Sequence, residues 1–482
     1  GILGLGIMMG AAWAYESLTF GGYWAWDPVE NASFVPWLTL VAGLHCNLIY
    51  KNTGYSLRAT YFFYIISFVL ILYSTFLTRS GVLGDTSVHA FTDLGMNWQL
   101  LIFILVFLIP ALFMYFKRYK SIPTIVKEEQ TFSREFWMFI GALILFLSGF
   151  VIIFITSLPV FNKIVTHFDF LKSIFKNSFA QPEDAEFTHN QIQVFVAVIL
   201  GFITAFTQYL KYKDTPKEYL RKKIMIPVII TIVISLLIIF FGGIRYDKKG
   251  IGFLIAIHLA IVAAVYTIVA NTSYIWLVLK GKIKVAGASV AHIGFGLILL
   301  GILISSGKKT VLSWNKTGIN VLEKTKQEDP AENTTLFKRI KTDMGQYMVT
   351  YTKDSLNERD RKRYFEIDFQ PKDGSKGFKV YPDVIKNNKG AEGFAANPDA
   401  KHFLFKDIFV YITSFKEDNK KDTTHFRNEV LKAGDTVYYG NGFMIFNKIL
   451  LNPTEQKQKF ADDETAMFLD IQVISKEGSR YA

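Results

Sequence analysis

Two histidines lie inside long apolar runs of the sequence. His45 follows Pro36 by nine residues in WLTLVAGLHCNLIY, and His292 lies in VAHIGFGLILLG. At 1.5 Å per helical residue, both imidazoles are expected roughly 10–14 Å inside a bilayer, on antiparallel helices. Ionisable side chains at that depth are rare and usually functional. The pair suits bis-histidine ligation of a b-type haem, and Gly294 and Gly296 would allow its close approach. The alternative is two unrelated histidines bonded to backbone carbonyls or hydroxyl groups.

An aromatic segment, residues 20–38, precedes His45 and reads FGGYWAWDPVENASFVPWL. Its first aromatic faces belong to Tyr23, Trp24 and Trp26. Asp27, Pro28 and Glu30 have the order of a capped helix start. One interpretation is an interfacial aromatic belt whose two carboxylates are used for capping. The other is a platform for a large planar ligand such as haem. Periodicity does not decide between them.

Three further positions are candidates for chemistry. His89 lies in the loop sequence TSVHAF, where a lone histidine is usually solvated. Arg79 closes an apolar run, and it either anchors the helix at the interface or binds a carboxylate through two hydrogen bonds. His258, in LIAIHLAIV, is a weaker candidate for a ligand or polar relay. The remaining histidines are expected to be structural or surface residues: His167, His189, His402 and His425.

Two motifs carry a family resemblance. WAWDPVENASFVPWL resembles the tryptophan-rich WWD signature of the haem-handling proteins of cytochrome c biogenesis. Together with FLTRSGVLGDTSVHAF at 76–91, it resembles the CcmF family, the haem lyase subunit of system I cytochrome c maturation. The usual Trp-Trp pair is Tyr23-Trp24 here, and Phe20 stands where a Trp is common. Both departures keep an aromatic face.

The resemblance implies roles for these residues. His45 and His292 match the ligands of a transmembrane haem b, and His89 matches one of two external histidines that hold substrate haem over the aromatic segment. The second external histidine is expected upstream of Gly1. The metal ligands are therefore expected to be His45, His292 and His89. The other haem-binding residues are expected to be Tyr23, Trp24, Trp26, Asp27 and Arg79. No catalytic residue is assigned.

The implied reaction adds the two thiols of an apocytochrome CxxCH to the vinyl groups of haem. The implied partners are a system I haem chaperone, apocytochrome c, and the apocytochrome-binding and thioreduction subunits. The depth of the histidine pair motivates a further hypothesis, that the buried haem passes electrons outward from a quinol to keep the substrate iron ferrous. Two alternatives remain open: a system II synthase, which shares the aromatic motif, and a haem transporter without bond chemistry.

Composition indicates a membrane protein with a substantial soluble part. The chain has 482 residues, 51% of them hydrophobic, with a mean hydropathy of +0.25. The net charge of +12 is better explained by positive-inside topology than by nucleic-acid binding. The single Cys46 excludes an internal disulfide and a CxxC pair, and no CxxCH is present for covalent haem attachment. Because the sequence starts inside an apolar run without Met, a fragment lacking upstream helices is expected.

The predicted fold class is a polytopic α-helical membrane protein with an extracytoplasmic β-rich C-terminal domain. Apolar runs that suit bilayer crossing are expected at roughly 28–50, 58–78, 98–117, 135–158, 190–211, 224–242, 251–280 and 285–306, after a short helix at about 1–15. Basic residues cluster in four connections that share one face, which is therefore predicted to be cytoplasmic. These clusters are Lys51 and Arg58; Lys117, Arg118, Lys120 and Lys127; 211–223; and Lys280, Lys282 and Lys284. The protein is thus expected in the bacterial inner membrane, in contact with lipid, with the aromatic segment on the periplasmic side.

The two predicted domains are 1–305, transmembrane, and 306–482, β-rich and periplasmic. Strands are expected in QYMVTYT, RYFEIDF, HFLFKDIFVYITSF, TVYYGNGFMIFNKIL and AMFLDIQVIS. Gly440-Asn441-Gly442 predicts a hairpin turn. The segment 159–189 alternates apolar and basic residues, which suits an amphipathic helix on the outer surface. The family adds one more membrane helix after such a domain, so a shortened C-terminus is also expected.

Overall fold

The computed structural model describes residues 1–19, 21–83, 95–125, 130–175, 179–244, 250–316, 329–357, 359–386, 394–415, 429–439, 442–451, 467–475 and 480–481. The chain divides into two compact units, Gly1–Thr310 and Val311–Ala482. The first unit is built of helices and the second of strands. The predicted combination of a polytopic helical part and a C-terminal β-rich part is confirmed.

The helices of the described residues follow the apolar runs and often extend beyond them. They are α1 Ile2–Ser17, α2 Pro28–Thr53, α3 Leu57–Arg79, α4 Asn97–Arg118, α5 Arg134–Thr156, α6 Leu158–His167, α7 Asp169–Ile174, α8 Ala185–Thr207, α9 Lys217–Phe241, α10 Ile251–Leu277 and α11 Gly287–Ser306. Within the described residues, eight of these are long and apolar enough to span a bilayer: α2–α5 and α8–α11. The segment predicted as an amphipathic helix, 159–189, contains two short helices, α6 and α7, and its position on the outer surface stays a prediction.

Helix α2 begins with the capping box that the sequence predicts. The Asp27 carboxylate accepts a hydrogen bond from the Val29 N–H at 2.8 Å, and the Glu30 carboxylate accepts one from the Asp27 N–H at 3.1 Å. Pro28 supplies no N–H at the first helical position, where none is needed. The helix ends at Gly54, whose φ of 81° is easily adopted only by glycine. Asp27 therefore has a structural role that is independent of any ligand.

The spanning helices form two groups. In the first group, α2 packs on α3 and α5, and α4 packs on α3; in the second, α10 packs on α8, α9 and α11. Helix α5 of the first group packs on α8 of the second. Cys46 is fully buried in the first group beside Ala42 and Phe63, as expected for a small core residue.

Glycines allow close approach inside each group. A Cβ on Gly201 of α8 would lie 2.9 Å from the Cβ of Ala263 on α10, and a Cβ on Gly296 of α11 would lie 3.1 Å from the Ala264 carbonyl oxygen. At the contact between α8 and α10, the Thr267 hydroxyl of α10 also donates a hydrogen bond to the Gly201 carbonyl oxygen at 2.9 Å. Gly296 thus serves the packing of α11 on α10. Small residues and hydroxyl groups are what helix pairs in membranes use for contact.

The second unit contains antiparallel sheets. Its described strands are β1 Lys341–Met344, β2 Tyr347–Asn357, β3 Lys362–Pro371, β4 Phe378–Val380, β5 Asp383–Lys386, β6 Phe394–Asn397, β7 Asp399–His402, β8 Asp407–Val410, β9 Thr436–Tyr439, β10 Gly442–Leu451, β11 Met467–Ser475 and β12 Arg480–Tyr481. One sheet has the order β1-β2-β3-β5-β6 with β4 paired to β3, another is β12-β11-β10-β9, and β7 pairs with β8. The core of the first sheet includes Val349, Ile367, Val380 and Val384.

One predicted strand differs from the observed ones, and one predicted hairpin is seen. HFLFKDIFVYITSF does not form one strand: β7 ends at His402, the chain turns, and β8 begins at Asp407. The hairpin leaves Leu404 and Phe405 about nine-tenths exposed, so the apolar run does not mark a buried strand. TVYYGNGFMIFNKIL forms β9 and β10, paired with Tyr439 opposite Gly442. The predicted turn residues 440–441 lie outside the described residues.

Candidate functional site

The structure places His45 and His292 against each other. His45 lies on α2 and His292 on α11, with ring centres 6.4 Å apart and ring planes within 6° of parallel. The two helices come from different groups, and both side chains are half-buried. The sequence alone does not fix this pairing, because the residues are far apart in the chain.

The hydrogen bonding of His45 determines which ring nitrogen it presents. Its Nδ1 lies 2.8 Å from the carbonyl oxygen of Val41, one turn earlier on α2. Because a carbonyl only accepts, Nδ1 must carry the proton, and Nε2 is left with a free lone pair. In His292 the buried Nδ1 has no hydrogen-bond partner. Both imidazoles are therefore able to act as neutral nitrogen ligands.

The spacing of the pair suits two imidazoles that share one metal ion. A metal bound at about 2 Å by one nitrogen of each ring would place the ring centres roughly 6 Å apart. In the described part of the chain, no third His, Cys, Asp or Glu joins them to form a metal-binding group. Two protein ligands suit haem, whose macrocycle supplies the other four, better than a tetrahedral zinc site, which uses three or four protein ligands.

The two helices that carry the pair are not closely packed on each other. Helices α2 and α11 face each other through these histidines but are not among the closely packed helix pairs of the described residues. A Cβ on Gly294, two residues after His292, would meet no atom within 4 Å. A haem could therefore approach α11 closely at Gly294, where no other atom is near. At Gly296 it could not, because residues of α10 fill the space beside that glycine.

Trp26 of the aromatic segment is held from three sides. Its backbone has φ 57°, which is rare for a bulky residue. The Asn31 amide donates a hydrogen bond to the Trp26 carbonyl at 2.9 Å, and the Trp26 indole N–H donates one to Asn190 Oδ1 at 2.8 Å. The His189 ring stacks on the indole with centres 5.1 Å apart and planes 16° from parallel. One face of Trp26 is thus covered, so this ring is part of a fixed support.

The neighbouring aromatic residues are less enclosed. Trp24 packs edge-on to Trp26 and Phe34, and its buried indole N–H has no hydrogen-bond partner. Tyr23 is half exposed and stacks on Tyr15 of α1 with ring centres 4.5 Å apart. Trp24 therefore supplies an unused donor within the segment, and Tyr23 presents the most accessible ring.

The remaining predicted residues lie as follows. Arg79 is exposed at the last position of α3. Leu77 and Leu83 on either side of it pack with Ala32 of α2, so Arg79 lies at the end of the bundle where the aromatic segment lies. His89 and His425 lie outside the described residues. His258 is half-buried on α10, His167 is exposed on α6, and His402 is 3.2 Å from Asp407 in the β-rich unit.

His189 and Asn190 are the residues that the sequence analysis did not connect with the site. They lie at the fifth and sixth positions of α8, and His189 is only 2% exposed. Its buried Nδ1 has no hydrogen-bond partner. The only available signal was a histidine-asparagine pair at the polar start of an apolar helix, which does not indicate a partner 164 residues earlier in the chain.

Known proteins share both the sequence motif and the fold. Residues 2–83 match the family model described as Cytochrome C assembly protein. The chain is 32% identical over 314 residues to the cytochrome c-type biogenesis protein CcmF of Pseudomonas fluorescens, which covers 63% of this chain and 44% of that protein. It is 30% identical over 336 residues to CycK of Bradyrhizobium diazoefficiens, covering 67% of this chain and 47% of that protein.

A solved structure extends the likeness to almost the whole chain. The cytochrome c haem lyase CcmF superposes with a TM-score of 0.52 and 17% identity, over 98% of this chain and 60% of that one. At this identity the match shows a shared fold. The chain is therefore similar to CcmF in sequence and shares its fold.

The eight long apolar helices of the described residues and the likeness to CcmF indicate a multi-pass membrane protein. The chain spans less than half the length of the curated CcmF and CycK relatives that it matches.

Proposed function

We propose that this chain acts as the haem lyase subunit of system I cytochrome c maturation and holds a b-type haem between His45 and His292. The arrangement of the two imidazoles is the observation that carries the proposal: ring centres 6.4 Å apart, nearly parallel planes, and a His45 tautomer that frees Nε2. When bound, such a haem supplies one-electron redox chemistry within the membrane.

The second haem in this proposal is the substrate. It is held at the aromatic segment, where Trp26 is fixed by α8, Trp24 has a free N–H donor, and Tyr23 is accessible. His89 is its proposed iron ligand and Arg79 its proposed carboxylate partner. Each apocytochrome thiol forms a C–S bond to a vinyl carbon and its proton goes to the other vinyl carbon, so the addition requires no net oxidant.

The topology completes the proposal. We place the loops at the ends of α2, α8 and α10 in the cytoplasm because they are rich in Lys and Arg. The aromatic segment then lies at the periplasmic face of the inner membrane, where a haem chaperone, apocytochromes and their binding and thioreduction subunits would reach it.

The absorption spectrum of the purified full-length protein tests the membrane haem. We expect a b-type spectrum that is largely lost in His45→Ala and in His292→Ala, because each change removes one axial nitrogen. His258→Ala is the matched control, since it removes a half-buried histidine from α10 of the same unit. A colourless wild-type protein from haem-replete cells, or spectra unchanged in both ligand variants, would refute the proposal.

Electron transfer through this haem is tested separately. We expect a quinol to reduce it anaerobically, since the proposed role is to keep the substrate iron ferrous. The reduction is followed at the haem absorption bands, with His292→Ala as the blank. Absence of reduction by any quinol, with the haem bound and titratable by dithionite, would remove the electron-transfer role and leave haem binding intact.

A further inference from the structure

A partly buried polar cluster lies at the end of the bundle where α2 ends and α5 and α11 begin. Arg134 is the first residue of α5, and its Nη2 donates a hydrogen bond to the Gln208 carbonyl oxygen at 2.5 Å. The same nitrogen lies 3.5 Å from the Tyr274 hydroxyl oxygen, and the guanidinium carbon lies 5.5 Å from the centre of the Tyr212 ring.

Within the described residues, Arg134 forms no ion pair with a carboxylate. Its contacts there are a carbonyl, a hydroxyl group and an aromatic ring, and its buried Nε has no hydrogen-bond partner. The adjacent Glu135 uses both carboxylate oxygens on the backbone N–H of Lys213, at 2.8 and 3.0 Å. Burial raises the pKa of Tyr212, so that phenol stays neutral at physiological pH and balances no charge.

The cluster is connected to the face of α11 that carries the haem ligand. The Gln208 side chain donates a hydrogen bond to Ser289 Oγ at 3.0 Å, and Ser289 lies three residues before His292 on the same helix face. Several further buried polar atoms at this end of the second helix group have no hydrogen-bond partner: Thr207 Oγ1, Asn271 Oδ1 and His292 Nδ1.

A guanidinium that has no ion pair and keeps a free N–H is suited to an anionic ligand. Water would satisfy single polar atoms, but it would not compensate a charge that is partly withdrawn from solvent. Haem carries two propionate carboxylates at its edge, and a guanidinium binds a carboxylate through two parallel hydrogen bonds. The cluster lies at the same end of the bundle as the proposed iron ligands. The Arg134 guanidinium is thus suited to bind a propionate carboxylate of the proposed haem.

We propose that Arg134 binds a propionate carboxylate of the haem held between His45 and His292, with Gln208 and Tyr274 fixing the guanidinium. This inference deepens the proposed function and depends on it. Arg134 is a binding residue for the haem edge. It orients the macrocycle by a contact separate from the two axial bonds, and it offsets negative charge near the iron.

Reconstitution with modified haem tests the contact directly. Full-length protein made in haem-deficient cells is titrated with haem and with haem dimethyl ester, and the bis-imidazole absorption is followed. We expect esterification to weaken binding to the wild type by on the order of tenfold or more, because it removes a charge-assisted bond. Arg134→Gln should bind haem correspondingly more weakly and be insensitive to esterification. Arg118→Gln, an exposed arginine at the end of α4, should behave as wild type.

The midpoint potential of the bound haem supplies a second readout. Arg134→Gln leaves a propionate charge without its cation, which favours ferric iron, so the potential should fall. Arg134→Lys keeps the charge without the two-pronged geometry and should restore most of the potential. A variant with only a structural role would lose haem without this pattern of rescue.

The outcomes separate the two proposals. A colourless wild type would overturn both the haem site and the role of Arg134. A wild type that binds haem but is indifferent to esterification would overturn only the role of Arg134. An unchanged potential in Arg134→Gln would do the same. The comparison of haem with its ester uses the unaltered protein, so it remains decisive even if Arg134→Gln does not fold.

Discussion

Trp26 has a backbone conformation that costs of order 1–3 kcal/mol for a non-glycine residue, and its surroundings show what maintains it. Asn31 binds its carbonyl, Asn190 binds its indole N–H, and His189 covers one ring face. The sequence predicts an aromatic segment and a capped helix from local spacing. It does not predict the contact from α8, since neither histidine nor asparagine at a helix start indicates a distant indole.

Asn190→Leu tests this residue-level support. The change leaves the buried Trp26 N–H without an acceptor, which should lower the free energy of unfolding by about 1–3 kcal/mol. Thermal unfolding of the full-length protein in detergent measures the loss. Gln191→Leu is the control, because the next residue on α8 is exposed. In the same preparations we expect haem at the aromatic segment to decrease while the haem of the histidine pair is retained. Equal stability of the two variants would contradict the proposed support.

At the level of helices, hydropathy locates the eight spanning segments but not all of their ends. α8 begins at Ala185, before its apolar run, because the Asp184 carboxylate accepts a hydrogen bond from the Phe187 N–H at 2.7 Å. α9 begins at Lys217, after Pro216, since its first turns consist of good helix formers that carry charge. An apolar run therefore marks only the part of a helix that can lie in lipid. The ends of the helix are set by its capping residues and by the helix propensity of the polar residues beside the run.

Helix packing leads to a matched pair of substitutions. Gly201→Ala would place a Cβ 2.9 Å from Ala263 Cβ, so α8 and α10 must separate, and we expect a loss of about 1–3 kcal/mol of stability. Gly301→Ala on α11 would meet no atom within 4 Å and should be neutral or stabilising by up to about 1 kcal/mol, because alanine favours helix. Thermal unfolding in detergent compares the two. If Gly301→Ala proved the more damaging, the observed packing of α8 on α10 would be wrong.

Over the whole molecule, the order of spanning helices could be obtained from the sequence, whereas the meeting of α2 with α11 could not. The run lengths and basic loops give the number of crossings and a direction for each. Which helices become neighbours depends on side-chain fit, such as Gly43 of α2 beside Tyr64 of α3, and that fit has no periodic signature. The two histidines could therefore be predicted to lie at similar depth, whereas the geometry of the pair could not be predicted.

Reporter insertions test the proposed topology. A reporter active only in the cytoplasm should be active after Lys213, in the basic loop that follows α8, and inactive after Val311. A periplasmic reporter should give the opposite result, because three crossings, α9 to α11, separate the two positions. Insertion after Gly54, between α2 and α3, is the control and should match Lys213. The same activity at Lys213 and Val311 would contradict the assignment of α9–α11 as three spans.

Helices α2 and α11 face each other through two imidazoles while their closest helix packing lies elsewhere, with α5 on α8 as the main helix contact between the groups. A haem ligated by both histidines would link the two helix groups. A ligand that binds only the folded protein stabilises that protein in proportion to the logarithm of the ligand concentration. Copies made while porphyrin synthesis is low would then be opened and degraded sooner than copies made when it is abundant. Under the proposed function, the capacity for cytochrome maturation would then follow the supply of haem without a dedicated sensor.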